Sequence, residues 1–229
     1  MTRKPMLLVL LAAACLAIPA GLGCGQNARS PKASPGGEVS LPAPNLKGQV
    51  SVEEALARRR SVRQFAAKDL TLEQVSQLAW AAQGITDQRR GLRTAPSAGA
   101  LYPLEVYLVK PDGMFRYLPQ SHRLLGLSAD DSRARLSQAA YGQPSVREAP
   151  LNFVIAAVYE RTRVKYGARA DRYVSIEAGH VGQNIHLQAV ALGLGSVSVG
   201  AFDDKEVAAA LDLPGDQEPL YIIPVGYPR

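Results

Sequence analysis

The sequence predicts an α+β domain, on three observations. Helical and extended segments are interleaved without the regular strand–helix–strand alternation of parallel α/β folds. Two strand-like runs, Glu105–Lys110 and Met114–Leu118, are joined by Pro111-Asp112-Gly113, a turn that makes them a hairpin. The stretch Arg163–Asp203 holds a long apolar helix that stops at Gly193 and Gly195 and leads into a short β-branched strand, Ser196–Val199.

The chain opens on a segment with the pattern of an export signal, residues 1–24. Arg3 and Lys4 form a positive start, and Met6–Ala20 is a nearly unbroken apolar run. That run is short of the roughly 20 residues a spanning helix needs. Gly21-Leu22-Gly23-Cys24 resembles a bacterial lipobox with its leucine displaced by one position, so lipidation of Cys24, a plain cleaved signal and an uncleaved anchor all fit. Both cysteines, Cys15 and Cys24, fall in this segment, which leaves the remainder without a thiol, a disulfide or a sulfur ligand. Residues 25–48 are rich in Pro, Gly, Ser and Asn, lack apolar periodicity, and read as a flexible tether. The folded domain then occupies residues 49–229.

Within that domain, Ser51 and Glu54 form a capping box that opens a helix through Arg60. Thr71 and Gln74 cap a second helix, with Leu72, Val75, Leu78, Ala79 and Ala82 on its buried side and Gly84 at its end. Ile85–Arg93 is a polar, basic loop. After the hairpin, Ser132–Tyr141 is a helix ended by Gly142, and Asn152–Val158 is a buried strand. In the long helix, Val174, Ala178, Val181, Ile185, Ala189 and Leu192 recur in steps of three and four, and Ile176, Leu187 and Val190 lie outside that stripe. A helix apolar on most of its circumference is a buried one. It nonetheless carries Gln183, Asn184 and His186, which need partners when buried, and a bare patch at Ala178, Gly179 and Gly182. Alone, these features describe a core element. Asp203, with Glu206 three residues on, caps a short helix to about Leu211, and Leu220–Val225 is a last strand that Pro224 places near its end.

Three stretches carry chemistry. Arg58-Arg59-Arg60-Ser61-Val62-Arg63 gathers guanidiniums around a hydroxyl, a set that suits either a helix C-terminus or a phosphate. Pro96-Ser97-Ala98-Gly99 is a run of small residues that offers bare backbone to something planar, or is a plain strand-entry loop. Ser198-Val199-Gly200 follows the long helix. Other templates fail. His122, His180 and His186 have no zinc-site spacing, and Gly193, Gly195 and Gly200 follow a helix and precede a strand, the reverse of a dinucleotide-binding loop. A net charge of +6, from 26 basic and 20 acidic residues, is too small and too dispersed to argue for nucleic acid.

These stretches coincide, in order, with the motifs of one family. RRSVRQF (Arg59–Phe65), PSAGALYPLEVYLV (Pro96–Val109), KYGARADRY (Lys165–Tyr173) and EAGHVGQNIHLQAVALGLGSVSVGAFDD (Glu177–Asp204) resemble the FMN-dependent nitroreductase superfamily, and within it the SagB-type dehydrogenases that include azoline oxidases. The resemblance covers Val50–Arg229. It implies a central, mostly antiparallel sheet surrounded by helices, and a homodimer with FMN in the interface. It further implies Arg59, Ser61 and Arg63 as ligands of the FMN phosphate and ribityl chain, with Arg60 contributing backbone. Pro96, Ser97, Ala98 and Gly99 would approach the ring, Ser198, Val199 and Gly200 would line its other side, and Gln183 and Arg229 complete the cofactor set. Lys165 and Tyr166 match the pair that azoline oxidases use to remove a proton, chemistry that a lysine of lowered pKa or a tyrosine can perform. A Lys–Tyr pair on a surface loop that steadies the next helix is the plainer alternative.

Export bears on the electron source. Arg3-Lys4 is not a twin arginine, so the domain would cross a membrane unfolded and acquire FMN outside, where reduced nicotinamide is scarce. The expectation is an exported, membrane-tethered FMN-dependent oxidoreductase acting on a small-molecule or peptide substrate. Alternatives are an NAD(P)H-dependent nitroreductase, a non-catalytic flavin-binding module, or a scaffold without flavin.

Overall fold

In the computed structural model, residues 32–229 are described, and the expected signal segment with Cys15 and Cys24 lies outside them. A seven-stranded sheet, antiparallel at every pairing, runs in the order β1 (Glu38–Ser40), β6 (Arg123–Ser128), β5 (Gly113–Leu118), β4 (Leu104–Lys110), β7 (Leu151–Ala157), β9 (Glu218–Gly226), β8 (Gly195–Ser196). Alternation along the strands splits the core in two. Leu104, Val106 and Leu108 of β4 and Phe153 and Ile155 of β7 face α2 (Leu72–Gln83) and α6 (Ala170–Ala191). Tyr107 and Val109 of β4, with Val154 and Ala156 of β7, face α3 (Arg133–Ala139), α4 (Pro144–Glu148) and α7 (Asp204–Ala210). All seven residues of β7 are buried, which is why that strand is apolar but for Asn152, whose amide donates to the Val146 carbonyl. The α+β expectation and the mostly antiparallel sheet both hold.

The stretch expected to be a flexible tether is tied down from Ala33 onward. Ala33 is buried, and its N–H donates to the Asp112 carbonyl at 3.0 Å. Glu38–Ser40 pairs with β6, and beyond it the Ser76 hydroxyl donates to the Pro42 carbonyl at 2.6 Å. A Pro- and Gly-rich stretch has no apolar rhythm, yet its backbone can still finish a sheet edge, and Pro42 then ends the strand.

Other boundaries shift for local reasons. α1 (Val52–Arg58) stops short of Arg60, and only half of its capping box forms, because Glu54 turns from Ser51 to pair with Arg58 at 2.7 Å. The Thr71–Gln74 box on α2 is complete. The expected loop at Ile85–Arg93 holds a small hairpin of β2 (Ile85–Asp87) and β3 (Leu92–Arg93). Lys165 and Tyr166 sit in the last turn of a helix, α5 (Glu160–Tyr166). Pro224 lies near the end of β9, as expected, with only Val225 and Gly226 beyond it. Its carbonyl accepts the Val197 N–H on the side of β8, so its missing N–H falls where the neighbouring strand is only two residues long. α6 is buried along one side only: Ile176, Gly179, His180 and Gln183 are exposed on the other.

Candidate functional site

Two groups of side chains flank α6, and each gathers part of the expected site. On one flank α1 ends at Arg58, and the next residues cross to β8. The Val62 N–H donates to the Ser196 carbonyl at 3.0 Å, and Ser61 bridges Ser196 in parallel. This approach needs Gly195, since a Cβ there would lie 2.6 Å from that of Val62. His186 of α6 sits behind the junction. Its Nδ1 meets the Ser196 hydroxyl and its Nε2 the Ser198 hydroxyl, each at 2.7 Å. Burial first, and the nearby Arg59 charge second, push His186 down to about 4, so the ring is neutral. It offers one donor and one acceptor, and both serines are held.

The arginines divide their labour. Arg58 pairs with Glu54, and the Arg60 guanidinium folds back on the carbonyls of Ala57 (3.0 Å) and Arg59 (2.7 Å), capping α1. Arg59, Ser61 and Arg63 make no side-chain hydrogen bond among the described residues. Arg58 and Arg60 therefore fill the helix-end use of the cluster, and a phosphate would fall to Arg59, Ser61 and Arg63. The C-terminus runs alongside, with Phe65 bridging Pro228 and the Arg229 N–H donating to the Gln64 carbonyl at 3.2 Å. Arg59, Ser61, Arg63, Ser198, Val199, Gly200 and Arg229 thus belong to one flank.

On the other flank, Pro96–Gly99 leads into a tight turn over Ala98–Ala100. Gly99, Ala100 and Tyr102 all have positive φ, at 64°, 55° and 48°. The last two are strained for residues with a side chain. The turn is held by the Ser97 hydroxyl, which accepts the Tyr102 N–H at 2.9 Å, and by Arg161, whose guanidinium donates to the Tyr102 carbonyl at 3.2 Å. What the strain places is Gly99: a Cβ there would lie 2.9 Å from Lys165 Nζ and 2.9 Å from Tyr166 Oη. Tyr166 is braced edge-on against Tyr173 of α6, with ring centres 5.0 Å apart. The pair therefore closes over bare backbone.

Beneath this turn lies a buried polar chain that sequence reasoning passed over. Glu177 of α6, 2% exposed, receives the Gln83 amide at 3.4 Å and a hydrogen bond from Ser97. Gln83 in turn accepts from Arg93 at 3.2 Å. Burial pushes the Glu177 carboxyl up to about 7, against those hydrogen bonds and the Arg93 charge. A carboxylate next to Ala178, inside the apolar stripe, was the available signal for it. His186 had a similar one.

Glu177 and His186 are nine residues apart on α6, so the flanks are about 13 Å apart along the helix and on opposite sides of its buried arc. One chain does not bring the two groups together. Gln183 lies between them on the exposed face of α6 with Ile176 and Gly179. A cavity of about 740 Å³ beside Trp80 and Leu187 is lined by none of the expected cofactor residues.

The architecture and the four motifs define a class. The chain belongs to the nitroreductase family, whose model matches residues 56–227, and it is a flavin oxidoreductase of that family. MJ1384 of Methanocaldococcus jannaschii, a nitroreductase by name, is 41% identical over 197 residues, 83% of this chain and 98% of that protein. The microcin B17-processing protein McbC of Escherichia coli is 29% identical over 133 residues, 53% of this chain and 48% of its own length. The trifolitoxin-processing protein TfxB of Rhizobium leguminosarum is 29% identical over 132 residues, 53% of this chain and 35% of its own. A nitroreductase-type crystal structure from Ralstonia eutropha superposes with a TM-score of 0.77 at 29% identity, covering 88% of this chain and 96% of that one.

Proposed function

We propose that this chain is an exported, FMN-dependent dehydrogenase of SagB type, which removes a hydride and a proton from an azoline-like ring or related C–H bonds of a small molecule or peptide. The observation that carries the reading is the convergence of Lys165 Nζ and Tyr166 Oη on Gly99. A base poised over bare backbone can take a proton from a substrate lying flat against a planar cofactor. The similarity to two peptide-processing proteins supports a peptide substrate. The signal pattern of residues 1–24 supports export, with a membrane tether at Cys24.

The residues present fit FMN. Arg59, Ser61 and Arg63 offer donors to a phosphate, Ser198, Val199 and Gly200 offer hydroxyl and backbone groups at the end of the β8 segment, and Pro96–Gly99 offers a side-chain-free surface. Bound FMN would supply a hydride acceptor. Lys165 or Tyr166 would take the proton while the Ser97–Glu177 chain beneath keeps the turn in place.

The arrangement also favours a homodimer. The exposed face of α6, with Ile176, Gly179 and Gln183, lies between the two flanks. A second copy packed there by a two-fold axis would set one chain's arginines against the other chain's turn, with FMN in the interface. The purified protein should show flavin bands near about 370 and 450 nm, and under anaerobic conditions an azoline-containing peptide should bleach the longer band faster than NADPH does. Rapid bleaching by NADPH alone would favour the nitroreductase reading, and a colourless protein that takes up no FMN would exclude both.

A further inference from the structure

A second polar cavity, of about 400 Å³, opens away from the arginine–serine flank. It arises from a splay in the sheet. The β4–β5 ladder stops at Tyr107↔Arg116, while β4 continues along β7 to Leu104 and β5 continues along β6 to Leu118. The two strand ends part, and the gap is lined by Arg93, Arg116, Arg161, Gln83, Gln120 and Glu105 among others. Arg161 pairs with Glu105 at 2.6 Å, and Arg93 spends one nitrogen on Gln83. The Arg116 side chain makes no hydrogen bond among the described residues. The Nε atoms of both Arg93 and Arg116 are buried without a partner. Glu105 is the single carboxylate among the lining residues, against three guanidiniums, and Glu177, outside the lining, acts on Arg93 through its charge and through Gln83.

Unpaired buried donors on a cation are costly, and a carboxylate or phosphate satisfies two guanidinium nitrogens at once. A cavity of this size suits a small molecule. We propose that the splay between β4 and β5 is an anion site, separate from the arginine–serine flank, that takes the carboxylate or phosphate group of a small molecule between Arg93 and Arg116, with Arg161 at the rim. Burial lowers the pKa of Arg93, as expected of a cation whose counter-charge is incomplete. The place matters because Arg93 and Arg161 also hold Tyr102: its ring lies under the Arg93 guanidinium at 4.4 Å, and its carbonyl accepts from Arg161. An anion here therefore bears on the strained turn that carries Gly99.

The site is tested by calorimetric titration of the purified protein with sodium phosphate and with sodium acetate, at constant ionic strength. One of the two should bind saturably, and the winner sorts phosphate from carboxylate. Arg116→Gln should weaken that binding about tenfold or more, and Arg116→Lys, which keeps the charge without the fork, should retain part of it. With FMN added at saturation to fill the arginine–serine flank, the double variant Arg59→Gln/Arg63→Gln should keep this binding. Circular dichroism of each variant separates lost binding from lost fold. Absence of saturable heat with either anion would overturn the proposal, as would binding that survives R116Q and disappears in R59Q/R63Q.

Discussion

The two flanks of α6 solve opposite problems with the same helix. Around His186 the polar groups behind the surface are satisfied: a neutral imidazole holds two serine hydroxyls. In front of them Arg59, Ser61 and Arg63 are left with donors to spare, so charge is expected from outside. Around Glu177 the polar groups are linked in a chain, Ser97–Glu177–Gln83–Arg93, with the carboxyl and the Gln83 amide buried. What is left in front is a strained turn with Lys165 and Tyr166 set over it. On the proposed reading, one flank binds the cofactor and the other positions an acid–base pair, so that the two tasks would be separated by about 13 Å of helix.

That separation is most sharply tested by substitution. Replacing Lys165 with Ala and Tyr166 with Phe should lower turnover by about 100-fold or more while leaving flavin absorbance in place. Replacing Arg59 and Arg63 with Ala should do the reverse. It removes charge-assisted bonds and should weaken FMN binding about 100-fold, read as fluorescence recovered on ultrafiltration, and saturating FMN should restore turnover. If both pairs of substitutions lost colour equally, the flanks would not be distinct.

Gly99→Ala addresses the turn itself. Gly99 sits at a φ of 64°, and a methyl group there meets both Lys165 Nζ and Tyr166 Oη at 2.9 Å. The variant should lose about 1–3 kcal/mol of stability in chemical unfolding and about a further tenfold in turnover, with colour retained.

The pH dependence of stability contrasts the flanks most directly. Glu177 is raised from 4.5 to about 7 on folding, so the native state binds the extra proton and stability falls as pH rises from 4.5 through 7. His186 is lowered from 6.5 to about 4, so the native state resists the proton and stability falls as pH drops from 6.5 through 4. Between pH 4.5 and 6.5 the two slopes oppose one another. Glu177→Gln should leave the rising slope and His186→Gln the falling one, each by at most about 3 kcal/mol across its window, measured as denaturation midpoints against pH.

Much of this was legible in the sequence. Caps, the Pro111–Gly113 turn and the irregular order of helical and extended segments pointed to the α+β fold, because each is a local signal. The α6 stripe and the arginine–serine cluster were visible for the same reason. The edge strand Glu38–Ser40 was not, since its stability comes from β6, 85 residues further on. Nor was the full role of α6: its exposed side is apolar enough to look buried, and periodicity does not say what covers a face. Glu177 and His186 were readable as polar breaks in an apolar helix, but their partners Ser97, Gln83, Ser196 and Ser198 arrive only through the tertiary fold.

The central claim is that a working site takes its binding half from one chain and its reacting half from another. Mixing the colourless R59A/R63A variant with the inactive K165A/Y166F variant, after unfolding and refolding together, tests it directly. Mixed dimers would hold one intact site, and activity should return to about a quarter of wild type when the chains pair at random. A mixture no more active than its two components would mean that both halves serve the same chain.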